Sequence, residues 1–106
     1  MSTSKRLVTT SPSQVHRDVA LLAALGNDTR YRLIRAIAAE PDGICVCDLE
    51  DAVDVGQSAI SQALARLADA DLVTRRKVGR WRYYSATNRA RAVLAALDDT
   101  GGRVDA

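Results

Sequence analysis

Residues 46–85 read VCDLEDAVDVGQSAISQALARLADADLVTRRKVGRWRYYS, and this run decides the fold. Val46, Leu49 and Val53 recur at i, i+3 and i+7, which predicts a short helix over about 46–53. Asp54-Val55-Gly56 breaks it. Ile60, Leu64, Leu67 and Ala68 then give one apolar face to a second helix over about 58–70. Two short helices joined by a Gly-containing turn of three or four residues are the outline of a helix-turn-helix. Two runs of β-forming residues follow, Leu72 to Lys77 and Arg80 to Ser85, joined tightly at Val78-Gly79.

The other face of the second helix carries Ser58, Gln62, Arg66 and Asp69, with Ser61 beside them. Short hydroxyl and amide side chains let a helix approach base edges in a major groove, where Gln57 and Gln62 can read donor and acceptor patterns. The hairpin holds Arg75, Arg76, Lys77, Arg80 and Arg82. Cations on a two-stranded ribbon suit phosphate contacts, which give affinity and register rather than sequence choice. The same charges would also guard an edge strand against aggregation. Trp81, Tyr83 and Tyr84 sit within a strand pattern and are expected to pack.

Working outward, Val15, Val19, Leu22 and Ala23 predict a helix over 14–25 that Gly26 ends. Asn27 or Asp28 can cap the next, over 29–40, with Leu33, Ile34, Ile37 and Ala38 inward. Pro41-Asp42-Gly43 is a turn signal. A last helix is expected over about 88–98, capped by Thr87 or Asn88, with Ala90, Val93, Leu94 and Leu97 on one side. The fold class expected is mainly α with a small β-hairpin: a winged helix-turn-helix of five helices and a two-stranded wing. Residues 14–99 form its single domain, between a flexible N-terminal arm, 1–13, and a flexible tail, 100–106.

Composition agrees. The 106 residues suit one domain with a modest core, and Phe is absent, so that core is aliphatic. The net charge is only +2, but residues 57–91 hold eight basic side chains against two acidic ones. A basic segment in an otherwise mildly acidic chain suits a polyanion. No apolar run approaches the ~18 residues of a membrane span, and the polar start has no signal-peptide core, which places the chain in the cytoplasm. One His, no Gly-rich phosphate loop and no nucleophile–base motif leave no catalytic constellation. The chain is therefore expected not to be an enzyme. A protein-interaction module of the same fold is the competing class; it would need neither the basic hairpin nor the polar helix face.

The segments Leu25-Gly26-Asn27-Asp28-Thr29-Arg30, Ile44-Cys45-Val46-Cys47-Asp48-Leu49, Gln57-Ser58-Ala59-Ile60-Ser61-Gln62-Ala63-Leu64 and Gly79-Arg80-Trp81-Arg82-Tyr83-Tyr84 together resemble the ArsR/SmtB family of metal-sensing repressors over about residues 15–97. The resemblance implies a homodimer on a double-stranded DNA operator, released when an inducer binds. It implies base contacts from Gln57, Ser58, Ser61 and Gln62, and wing contacts from Arg80 and Arg82; Arg66 joins them from its place on the polar helix face. It implies pairing of the first and last helices across the two-fold axis, which assigns Val15, Val19, Leu22, Val93, Leu94 and Leu97 to the dimer interface. Ala63 departs from the pattern, standing where many members have His.

The resemblance also implies that Cys45 and Cys47 bind arsenite, antimonite or a soft divalent metal as inducer, with no resident cofactor. Thiolates are soft ligands and select soft ions. With one residue between them, the two cysteines are poor disulfide partners. On a regular helix, residues i and i+2 point about 200° apart, whereas in extended chain they share a side. Chelation is therefore expected to unwind or distort the start of the 46–53 helix. Glu50 stands where some members have a third cysteine, and His16 is the only histidine. The third ligand is open among Glu50, His16, solvent or a small thiol, and none. A redox-responsive pair and an inert, packed pair are the competing readings.

Overall fold

The computed structural model describes residues 9–104, with side chains to residue 99. It contains five helices and one three-stranded antiparallel sheet: α1 (Pro12–Leu25), α2 (Asp28–Ala38), β1 (Ile44–Cys45), α3 (Val46–Ala52), α4 (Gln57–Asp69), β2 (Val73–Val78), β3 (Trp81–Ala86) and α5 (Asn88–Val104). This is a winged helix-turn-helix.

Local chemistry sets the boundaries. Ser11 Oγ accepts from the Gln14 N–H at 3.1 Å, and Pro12 occupies the first turn of α1, two residues earlier than the apolar pattern predicts. Asn27 Oδ1 caps α2 through the Arg30 N–H. The Arg30 side chain in turn donates to the Ala24 carbonyl at 2.8 Å, fixing the end of α1 against the start of α2. Helix α4 closes in a Schellman arrangement: Leu72 N–H donates to the Leu67 carbonyl and Asp71 N–H to that of Ala68. Asp71 takes the left-handed conformation (φ 61°) that this stop requires. Thr87 then caps α5 and donates to the Asp71 carbonyl, fastening the two ends of the wing together.

Helix α5 runs on to Val104, past the expected end near residue 98. Gly101 and Gly102 lower helix propensity by about 1 kcal/mol each without forbidding the conformation. Of the two expected flexible ends, residues 1–8 of the arm and 105–106 of the tail lie outside the described residues.

The core is aliphatic. Leu33, Ile34 and Ile37 of α2 meet Leu49, Ile60, Leu67 and Leu72, all fully buried. Helix α1 turns Leu21 and Ala24 toward the core, while the apolar face read from the sequence, Val15, Val19, Leu22 and Ala23, is exposed. On α4, Ala68, expected on the buried face, is exposed, and Ala63 is buried with Ile60, Leu64 and Leu67. Among the described residues, no polar or charged side chain is buried.

The sheet has the order β1-β3-β2. Strands β2 and β3 form the wing, in register from Val73↔Ala86 to Val78↔Trp81. The connection is Gly79-Arg80, one residue later than expected. Gly79 has φ 61°, as the first central residue of a type II′ turn requires. The third strand has no counterpart in the sequence reading. Ile44 and Cys45 pair with Tyr84 and Tyr83, so the cysteine segment is stitched to the base of the wing. Two residues are too short to display an alternating pattern, which is why periodicity missed it.

Candidate nucleic-acid interface and thiol cleft

Helix α4 begins at Gly56, whose missing side chain leaves the first-turn N–H groups without a side-chain cap. Gln57, Ser58, Ser61, Gln62 and Arg66 are all exposed, while Ile60, Ala63, Leu64 and Leu67 face the core. The structure thus gathers the sequence-predicted contacts onto one polar stripe leading from the helix start. Ala63 lies on the opposite side, so its departure from the family pattern removes no group from that stripe.

On the wing, Arg75, Arg76, Lys77, Arg80 and Arg82 are exposed. The ion pairs found among the described residues, Arg32–Asp28, Arg35–Asp98 and Arg89–Asp18, lie elsewhere. The register sorts the cations. Arg75 pairs with Tyr84 and Lys77 with Arg82, so these side chains share the sheet face that begins with Val73 and Ala86 in the core. Arg82 lines grooves on α4 together with Ser61 and Leu64. Arg76 takes the other face and stacks over Tyr83, 5.9 Å from the ring centre. Arg80 sits in the hairpin turn. Lys77 and Arg75 join the candidate contacts; only the strand register distinguishes them from Arg76.

The two sulfurs meet. Cys45 Sγ and Cys47 Sγ lie 2.7 Å apart. Cys45 is the N-cap of α3 with extended dihedrals (φ −73°, ψ 144°), and the helix starts only at Val46. The pair therefore straddles the strand–helix junction, and the expected unwinding of α3 is unnecessary: both sulfurs already face one point. Cys45 is buried and Cys47 exposed. The Cys47 thiol is held above its usual range, first by its hydrogen bond with Cys45, then by burial and the Cys45 and Asp48 charges; the Asp48 backbone N–H opposes this.

A cavity of about 630 Å³ opens from the sulfurs, bounded by the start of α3, by α4 and by the wing. Glu50 is on its wall, as are Gln57, Ser61, Arg80 and Arg82. Glu50 and the sulfurs do not make a metal cage: no group of three or more His, Cys, Asp or Glu is placed to hold an ion among the described residues. His16 lines a different cavity with Asp69 and Arg89. Of the aromatic residues expected to pack, Tyr84 does, Tyr83 is half-buried, and Trp81 is 53% exposed on the wall of the thiol cleft. At the turn Trp81 has no strand beyond it to pack on.

Of the residues assigned to a dimer interface, Leu94 belongs to the protomer's own core and Val93 is half-buried against it. Val15, Val19, Leu22 and Leu97 are exposed. No helix among the described residues is long and apolar enough to cross a membrane.

Residues 27–75 match the family described as bacterial regulatory protein, arsR family. Over 85 residues the chain is 59% identical to a Halobacterium salinarum protein named as arsenical resistance operon repressor ArsR2, covering 80% of this chain and 71% of that one. It is 32% identical over 87 residues to the arsenical resistance operon repressor of Escherichia coli, covering 82% and 74%. Among solved structures it resembles NolR from Sinorhizobium fredii, with a TM-score of 0.74 at 27% identity, covering 86% of this chain and 93% of the other.

Proposed function

The chain belongs to the ArsR family of bacterial regulatory proteins, DNA-binding transcriptional regulators and not enzymes, and from that premise we propose that it is a dimeric repressor released from its operator when Cys45 and Cys47 capture trivalent arsenic or another soft ion. The observation that carries the proposal is the shared cleft: the two sulfurs open onto the same cavity as Gln57, Ser61, Arg80 and Arg82. The names of the relatives, arsenical resistance repressors, favour arsenic among soft ions.

In the repressing state the polar stripe of α4 enters the major groove and the wing cations lie along the flanking phosphates. Inducer capture acts at the junction of three elements. Cys45 is paired to Tyr83 on β3, Cys47 lies in the first turn of α3, and α3 packs against α4. Two thiolates on one ion at about 2.3 Å each stand ~3–4 Å apart, a span that two facing sulfurs at this strand–helix junction can supply. Any shift of the junction on capture is passed to the wing through the β1–β3 ladder and to the recognition helix through α3. A coupling of about 1–3 kcal/mol lowers DNA affinity roughly 5–150-fold.

The test is release from a labelled duplex carrying the sequence upstream of the gene. Arsenite releases the wild-type protein. Cys45→Ser and Cys47→Ser each bind the duplex within about twofold of wild type, yet stay bound when arsenite, antimonite or cadmium is added. Release of both variants by the same inducer would overturn the proposal.

A further inference from the structure

The thiol cleft carries more information than the thiols alone. Trivalent arsenic forms three bonds. Arsenite offers three replaceable oxygens, yet the whole sequence holds two cysteines, and no three-donor group exists among the described residues. A monosubstituted arsenical, R–As(OH)₂, has already committed one bond to carbon, so two thiols saturate it. The remaining question is where R would go.

The cavity answers it. About 630 Å³ lies beside the sulfurs, and its wall includes Val46, Leu64, Tyr84 and Trp81. Trp81 is 53% exposed and contributes nothing to the core. Cys47 and Trp81 both line this cavity. The exposed sulfur and the apolar wall therefore share one cavity. Lys77, Arg80 and Arg82 also line it, and cations of this kind stack on aromatic faces.

We infer that the preferred inducer is an aryl-substituted trivalent arsenical, its arsenic held by Cys45 and Cys47 and its ring lodged against Trp81 and Leu64. The inference rests on the soft-ion reading proposed above and specifies its ligand. Capture is a substitution: two As–O and two S–H bonds break, two As–S bonds form, and two waters leave. Arsenic stays trivalent, so no oxidant or reductant is needed. The ring then fills the space between recognition helix and wing, beside the arginines assigned to phosphate.

The experiment titrates the protein–duplex complex with phenylarsine oxide (which hydrates to the aryl dihydroxide), with methylarsonous acid and with arsenite. Phenylarsine oxide is expected to release DNA at a concentration at least about tenfold below arsenite, the effect of burying one ring face. Intact-mass spectra should show one phenylarsenic group per chain, absent from Cys45→Ser and Cys47→Ser. Trp81 is the single tryptophan, so its fluorescence reports ring binding directly. Trp81→Ala, at an exposed position and checked for folding by circular dichroism, should lose the preference for phenyl over methyl while still capturing the methyl compound. Release by arsenite at equal or lower concentration, or an unchanged phenyl preference in Trp81→Ala, overturns the inference and leaves the soft-ion repressor standing. If no arsenical or cadmium releases the bound duplex, the soft-ion repressor falls with it.

Discussion

At the scale of single residues, Cys47 sets the terms of inducer capture. Its thiol is held above the usual range, chiefly by the hydrogen bond with Cys45, so at neutral pH it carries its proton. A divalent cation must displace that proton, and its affinity rises with pH, by up to about tenfold per unit for each proton released. An arsenic hydroxide exchanges water for thiol with no net proton, so its equilibrium constant should not change over the same range. Calorimetric titrations at pH 6.5 and 7.5 are expected to show cadmium binding more tightly at the higher pH and phenylarsine oxide binding equally at both. A cadmium affinity indifferent to pH would mean that the thiols are already ionised.

At the scale of elements, the link between β1 and β3 is the feature with most to test. Gly43 enters β1 with φ 98°, and a Cβ there would stand 2.8 Å from Ser85 Oγ and 3.2 Å from the Tyr84 carbonyl. Gly43→Ala is both strained and crowded, and should cost about 1–3 kcal/mol in chemical denaturation. It should also blunt inducer response more than DNA affinity, because it loosens the strand that carries Cys45 and leaves α4 untouched. The wing offers a second measurement at this scale. Arg80 is exposed in the hairpin turn. Arg80→Ala is expected to weaken binding to all duplexes alike and to lower the slope of log K against log salt by about one. A loss confined to one sequence would instead place Arg80 on a base.

For the whole molecule, the proposed dimer turns on an apolar face that the protomer does not use. Val15 (44%), Val19 (57%) and Leu22 (64%) line the outer side of α1, and Leu97 (48%) is exposed on α5, while Leu21, Ala24 and Leu94 serve the core. Such a face suits the partner copy that the family resemblance implies. Two recognition helices about 34 Å apart would then read successive turns of one duplex face. Leu22→Glu should give a folded monomer by sedimentation, with unchanged helical content and operator binding reduced by two orders of magnitude or more, because the second half-site no longer adds to the first. A dimer that survives Leu22→Glu would move the interface off α1.

The sequence alone determined the five helices, the helix-turn-helix, the basic wing and the polar stripe from Gln57 to Arg66. Each rests on a periodicity, a cap or a turn residue that acts over a few neighbouring positions. Where it went astray, the deciding contact was remote. Periodicity found Val15, Val19 and Leu22 on α1 but not the inward pair Leu21 and Ala24, because all are apolar and only packing on α2 chooses between them. Strand β1 exists because β3 lies beside it, not because Ile44 and Cys45 have any period of their own. Its pairing makes Cys45 an extended cap, which brings two sulfurs that a continuous helix would hold apart to 2.7 Å. The same pairing brings Trp81 and the wing cations to the thiols from more than thirty residues away. Local chemistry writes the elements; which sides of them meet is settled by burial and strand pairing, and these belong to the folded chain alone.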